Sequence, residues 1–309
     1  MQFLIIHMHG LGDMIMFVPA FNKLPKDKKL IDIIVFENNT ISPILDSPKI
    51  RKVYYCDSSY FKFFFVIIKL LNQKYKNILF TNNSSPFKSC LISLLLKSQN
   101  IKIISEKKIS FFSYRKMIVK VSNNLHKIYR NLLLVNSKIE KRNIDMTLHF
   151  KRINFNKSNQ FSSKKINIGI HPGSNIKNGD KRWDPKKYLK LIEFYKKKNC
   201  IIHIFIGSYE KDLLNFYKSK SKQIKIIQKK SFNYVASLIE KLDLFISNET
   251  GLAHLSSSLG TKTIVIINKK TEKEKTNISI PIKNSKLINK TRKNKDLIKI
   301  ISLSKKILN

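Results

Sequence analysis

"QFLIIHMHGLGDMIMFVPAFNKL", Gln2 to Leu24, decides the fold. Its first residues are apolar without alternation, the pattern of a strand covered on both faces of a parallel sheet. Two glycines, Gly10 and Gly12, then turn the chain around one acid, Asp13, and an apolar helical segment over Phe17–Leu24 follows. Strand, glycine turn, helix is the opening of a doubly wound α/β unit, and the rest of the chain repeats it.

Downstream, "IDIIVF", "KVYY", "NILF" and "IKII" read as further strands, with helix-length segments at Tyr60–Lys74, Pro86–Lys97 and Tyr114–Val135. The polar stretch Lys151–Lys165, rich in Lys, Ser and Asn, reads as a linker. The pattern then restarts with the strands "INIGIHP", "CIIHIFIG", "IKIIQ", "DLFISN" and "TIVIIN". Helices are expected at Pro185–Lys198, Tyr209–Lys218, Phe232–Lys241 and Gly251–Leu259. These readings predict an α/β chain of two doubly wound domains, 1–155 and 165–290. A last helix falls within 291–309, placed either on its own domain or back on the first.

Composition sets the weight of each residue as evidence. The chain has 309 residues and a formal charge of +40, with Lys, Ile and Asn abundant and only three alanines, Ala20, Ala236 and Ala253. A lysine therefore says little wherever it stands, whereas a glycine, histidine or tryptophan says more. The charge predicts attraction to a polyanion or an anionic surface; lysine spread over a solvated exterior accounts for it as well. No basic arm or helix-turn-helix pattern supports nucleic acid as the partner. Cys56, Cys90 and Cys200 are far apart and odd in number, the pattern of reduced thiols in a cytoplasmic protein. The N-terminus reads as a buried strand, without the pattern of a signal peptide. "YFKFFFVIIKLL", Tyr60–Leu71, is too short to span a bilayer, which takes about 20 apolar residues. It reads either as a core helix or as an interfacial one.

The eight glycines mark the loops. Gly169 lies within a strand and Gly260 at a helix end, which are packing and capping positions. The loop "HPGSNIKNGDKRWDP", His171–Pro185, offers Ser174 and Lys181 to a phosphate. Trp183 there reads as a packing anchor. "IGSYEKDL" carries Glu210, an acid that can accept ribose hydroxyls after a strand. In "DLFISNETGLAHLSSSLG", Asp243–Gly260, Glu249 ends a strand. The N–H groups of Thr250, Gly251 and Leu252 open a helix able to hold a diphosphate, with His254 one turn in. Asp13 by itself fits a helix cap as well as a catalyst. His7 and His9 share a strand face but lack partners for a metal.

In their order and spacing, "GLGDMIMFVPAFNKL", "IGIHPGSNIKNGDKRWDPKKYLKLI", "IFIGSYEKDL" and "LFISNETGLAHLSSSLGTKTIVI" resemble glycosyltransferase family 9, the ADP-heptose:lipopolysaccharide heptosyltransferases and their relatives. The resemblance implies a GT-B fold: two Rossmann-like domains facing a cleft, with the acceptor on the first and a nucleotide-sugar on the second. It implies inverting, metal-independent transfer, with no cofactor beyond the donor. By position, Asp13 matches the general base, with Gly10 and Gly12 on the acceptor-side loop. Ser174, Lys181, Thr250, Gly251, Leu252 and His254 match the donor-phosphate contacts, and Glu210 and Glu249 the nucleotide side. Two departures stand out. Glu249 replaces the usual Asp, and the loop after Ser174 is long enough that Lys177 competes with Lys181.

The implied partners are a nucleotide-sugar and an anionic, lipid-linked saccharide at the inner face of the cytoplasmic membrane. A monomer is expected and nucleic acid is not. The basic residues near Tyr60–Lys76 and Lys107–Arg115 are the candidates for lipid or acceptor phosphates. A basic nucleic-acid-binding α/β protein and a catalytically degenerate family member are the competing readings.

Overall fold

In a computed structural model of the chain, the residues described are 3–36, 41–56, 60–81, 89, 92, 94–96, 98, 100–105, 118–122, 124–137, 143–155, 165–174, 181–208, 210–220, 224–268, 279–291 and 294–309. Lys177, Gly179, Cys90, Lys107–Arg115 and most of the expected linker and of the Pro86–Lys97 helix lie outside them. The chain divides into two units, Met1–Phe150 and Lys151–Asn309.

The first unit holds β1 (Phe3–His7), α1 (Leu11–Lys23), β2 (Ile31–Val35), β3 (Ile50–Tyr55), α2 (Tyr60–Leu70), β4 (Asn77–Phe80), β5 (Asn100–Ser105), β6 (Ile118–Lys120) and α3 (Lys127–Leu134). Its sheet runs β3-β2-β1-β4-β5-β6, every pair parallel. The second unit holds β7 (Asn167–His171), α4 (Pro185–Lys197), β8 (Ile201–Ile206), α5 (Lys211–Lys220), β9 (Lys225–Gln228), α6 (Phe232–Glu240), β10 (Leu244–Asn248), α7 (Gly251–Ser258), β11 (Thr263–Ile267), β12 (Ser285–Asn289) and α8 (Lys295–Leu308). Its sheet runs β12-β11-β10-β7-β8-β9, again all parallel. Numbered within its own unit, each sheet has the order 3-2-1-4-5-6. The crevice where that order reverses lies beside β1 and β4 in one unit, and beside β7 and β10 in the other.

The continuous apolar runs are the central strands. All five residues of β2, β7, β10 and β11 are buried. Burying an Ile or Phe side chain contributes roughly 1.5–3 kcal/mol, so these central strands dominate each core. Gly169 serves packing: a methyl group there would lie 2.5 Å from Leu242 Cδ1 and 2.6 Å from Phe245 Cδ2. Gly260 ends α7 with φ +87°, a left-handed turn that glycine adopts without strain.

Three sequence expectations need correction. The helix expected over Tyr114–Val135 contains a strand, β6, which pairs with β5, and the helix starts only at Lys127. His126 sets that start, its Nδ1 accepting from the Ile128 N–H at 3.2 Å. The sequence expectations also omit β12, one edge strand of the second sheet, because its alternation is broken and two of its residues are exposed. Finally, α1 begins at Leu11 rather than Phe17, so Asp13 lies in its first turn.

The C-terminal helix contributes Leu297 and Ile300 to the core of the second unit. Its anchor is Asp296, fully buried, which accepts from Trp183 Nε1 at 2.9 Å, Lys187 Nζ at 2.9 Å and the Thr291 N–H at 2.7 Å. Burial alone would raise the Asp296 carboxyl, but these donors outweigh it and hold it below the usual carboxylate range. Trp183 is indeed a packing anchor, its ring edge-on to Tyr188 with centroids 4.7 Å apart.

Candidate active site

Each crevice carries one cluster of polar groups. In the first unit, the chain leaves β1 at His7 and enters α1 at Leu11, with Gly10 as the N-cap residue. Gly10 has φ −79° and open space around its Cα, so neither backbone nor packing there demands glycine. Asp13 lies in the first turn, where the helix dipole favours an acid, and Gly10 provides no side-chain cap. The Asp13 carboxylate accepts from Lys127 Nζ at 2.8 Å, with both side chains partly exposed.

Burial raises the Asp13 carboxyl, but the Lys127 charge, its hydrogen bond, and His9 and His7 together bring it below the ordinary aspartate value. Asp13 is therefore ionised throughout the neutral range. Beneath it, His7 is buried and shares a hydrogen bond with Thr81 Oγ1 at 2.9 Å. Burial pushes its imidazole down to about 4, so it is neutral. Lys127 could not be picked out beforehand, because one more lysine in this chain carries no information.

In the second unit four segments converge. Asn248, fully buried at the end of β10, is the hub. Its amide donates to Pro172 O at 2.7 Å and Gly173 O at 3.1 Å, while its Oδ1 accepts from the Trp183 N–H at 3.0 Å and from Tyr188 Oη at 3.1 Å. One side chain thus fixes the loop after β7 and the residues leading into α4. Asp184 caps that helix by accepting from the Lys186 N–H, and Pro185 fills its first position.

Ser174 stands on the loop so fixed. Among the described residues its hydroxyl is buried with no hydrogen-bond partner, a costly state for a group that no ligand ever meets. Lys181 pairs with Glu249 at 3.4 Å, which brings the loop after β7 and the loop after β10 together. The longer arm of Glu249, compared with the Asp expected from the resemblance, makes that reach. Arg182 donates to Ser174 O at 3.2 Å and to Asp212 at 2.7 Å.

Thr250 is the N-cap of α7 and makes no side-chain cap, so the N–H groups at this helix start, those of Gly251 and Leu252 included, have no intrahelical acceptor. His254 lies one turn in and is buried. Glu210 is largely enclosed, one carboxylate oxygen accepting from the Gly207 N–H at 2.7 Å. A methyl group on Gly173 would come within 1.8 Å of the other oxygen. A side chain at Gly173 would therefore displace the Glu210 carboxylate from its present place, a closeness the sequence did not reveal.

Among the described residues, no group of three His, Cys, Asp or Glu side chains stands together as a metal site. The second cluster offers a hydroxyl, an ammonium and free backbone N–H groups to an anion, and the first offers one ionised carboxylate to a proton. Lys177 lies outside the described residues, so Lys181 is the lysine whose place in the cluster is defined.

A model of glycosyltransferase family 9 (heptosyltransferase) matches residues 65–305. A lipooligosaccharide heptosyltransferase 2 of Campylobacter jejuni is 30% identical over 110 residues, and the chain spans 34% of that relative's length. A lipopolysaccharide heptosyltransferase 1 of Campylobacter coli is 24% identical over 291 residues, 86% of this chain and 83% of that one. Among solved structures, the E. coli heptosyltransferase WaaC with ADP matches at a TM-score of 0.77 and 15% identity, over 99% of this chain and all of that one. The same enzyme with ADP-2-deoxy-2-fluoro heptose matches at a TM-score of 0.73 and 15% identity, with the same coverage.

Proposed function

The chain belongs to glycosyltransferase family 9 and has the GT-B-like fold of its solved relatives, and from that premise we propose that it transfers a heptose from ADP-heptose, with inversion, to a lipopolysaccharide-core or related membrane-anchored saccharide. The observation that carries this reading is the cluster at the β7/β10 crevice: a buried hydroxyl without a partner, a lysine and an open helix start, all anion-binding, at the place where α/β sheets bind ligands.

The chemistry follows from those groups. Asp13 takes the proton of the acceptor hydroxyl as its oxygen bonds to the anomeric carbon. The bond from that carbon to the diphosphate breaks in the same displacement, which inverts the centre. An aspartate held below its usual range is a weak base, so its contribution lies in geometry, with Lys127 fixing one carboxylate oxygen. Lys181 and the N–H groups of Gly251 and Leu252 receive the charge that develops on the departing diphosphate. Ser174 and His254 complete the phosphate contacts, Glu210 and Glu249 lie on the nucleotide side, and Gly10 and Gly12 leave space for the acceptor. The protein acts as a monomer at the inner face of the cytoplasmic membrane, where that acceptor is anchored. Among the described residues no helix is long and apolar enough to cross a membrane.

A thermal-shift screen of nucleotide-sugars tests the donor. Ligands that bind only the folded state raise its melting temperature. ADP and ADP-heptose are expected to raise it well above UDP-, GDP- and CMP-sugars. A shift confined to another nucleotide would overturn the donor assignment.

A further inference from the structure

Helix α2 is apolar on two opposite sides. Ile67 and Leu70 are turned into the core of the first unit. On the other side Phe61, Phe64, Phe65 and Ile68, spaced i, i+3, i+4 and i+7, face solvent, with Phe61 77% exposed and Phe64 and Phe65 each more than half. The helical residues Leu94 and Leu95 are also about half exposed. An apolar groove of about 380 Å³ opens here, lined by Phe61, Phe63, Phe64, Ile67, Ile92 and Leu95. Contiguous exposed apolar surface of this kind marks a contact with another molecule or with a membrane.

Charge selects the occupant. From Ser58 to Ser105 the sequence contains no acidic residue and seven lysines. Lys62, Lys69, Lys74 and Lys76 flank the phenylalanines in sequence and are exposed. A second copy of this chain would bring a like charge of +40 against the patch. A bilayer containing anionic phospholipid offers what both residue types need: phosphates for the ammonium groups and an acyl layer for the rings.

We propose that this face of α2 docks on an anionic phospholipid bilayer. Phe61, Phe64, Phe65 and Ile68 enter the boundary between headgroups and acyl chains, where interfacial helices lie roughly 5–10 Å deep. Lys62, Lys69, Lys74 and Lys76 lay their stems along the apolar surface and reach lipid phosphates. The groove takes the end of an acyl chain. The inference deepens the membrane-side placement proposed above, but lipid binding is measured apart from sugar transfer.

Flotation with vesicles of phosphatidylcholine, alone or mixed with phosphatidylglycerol, tests it. The full chain is expected to bind the mixed vesicles at least ~10-fold more tightly, since each surface lysine adds attraction. The double substitution Phe64→Ser with Phe65→Ser, at exposed positions, should weaken that binding at least ~10-fold by removing apolar burial. Transfer to a soluble, delipidated acceptor should not change in it. Phe64→Trp should give an emission that shifts to the blue on mixed vesicles and is quenched by brominated acyl chains. Equal binding to neutral and anionic vesicles, or a reporter that neither shifts nor is quenched, would overturn the proposal. So would a wild-type dimer that the double substitution converts to monomer, because a second copy would then be the occupant. A protein that floats with anionic vesicles yet transfers no sugar would instead refute the sugar-transfer reading and leave the docking surface standing.

Discussion

The two crevices are built by opposite means. Beside β7 and β10, Asn248 knots the loops together through four hydrogen bonds before any ligand arrives, and the groups left over point to an anion. Beside β1, among the described residues, the Asp13–Lys127 ion pair lies over the buried hydrogen bond between His7 and Thr81. The first region suits a ligand that must be gripped by its phosphates in a fixed place. The second suits a proton acceptor, whose charge is kept and whose second oxygen is left for a substrate. The same strand order therefore supports a rigid cradle in one unit and a lightly held carboxylate in the other.

That contrast can be broken. Asp13→Ala should lower kcat by roughly 10²–10⁴-fold, the usual loss on removing a general base, while ADP affinity and melting temperature stay as they were. Steady-state kinetics with calorimetric ADP titration would separate the two. If ADP affinity fell as well, the carboxylate would belong to donor binding. Asn248→Ala should do the reverse. It strands the Trp183 N–H and leaves the Tyr188 hydroxyl only the His171 carbonyl at 3.5 Å, and a buried group left unpaired costs about 1–3 kcal/mol. Urea unfolding should show a loss of roughly 1–3 kcal/mol on that basis, with weaker ADP binding in the fraction that folds.

Finer tests sharpen it. The hydroxyl of Ser174 has no partner among the described residues, so Ser174→Ala should leave the urea midpoint unchanged while raising the donor KM up to ~10-fold, about 1.4 kcal/mol of binding. A stability loss without a KM effect would make Ser174 structural. In Lys127→Met the groups that lower the Asp13 carboxyl are reduced while its burial remains, so the acid limb of kcat/KM should move to higher pH.

A further test concerns stability. His7 and His203 are both buried, with imidazoles at about 4 against 6.5 unfolded. Their neutral forms stabilise the fold fully above pH 6.5, and that contribution is lost as pH falls from 6.5 towards 4. The urea midpoint should fall across this window, and His203→Leu should flatten the fall.

Central strands were plain in the sequence because β1 and β11 are almost wholly apolar, the pattern of burial on both faces, while β7 and β10 carry apolar residues into a turn marked by glycine. The edge strands β6 and β12 were not, since an edge needs no such run and Ile118–Lys120 reads equally well as helix. Within the site, Trp183 and His254 stood out because such residues are rare in this chain, and Asp13, Ser174, Lys181, Glu210 and Glu249 could be read only because they stand close to glycine turns. Lys127 and Asn248 were invisible for the opposite reason. Lysine and asparagine are everywhere in this chain, and only their partners, 114 and 60 or more residues away in sequence, give them meaning. Gly10 shows the limit of the glycine signal, because nothing around it requires a missing side chain.

The proposal is that this chain is a heptosyltransferase, with Asp13 as its base and the Ser174–Lys181–α7 cluster as its donor-phosphate site. The most direct test is transfer from ADP-heptose to a lipopolysaccharide-core acceptor lacking that heptose, followed by the configuration of the new linkage. Transfer with inversion is expected of the wild type, with near-complete loss in Asp13→Asn, which still binds ADP. Transfer with retention, or unimpaired transfer by Asp13→Asn, would contradict it.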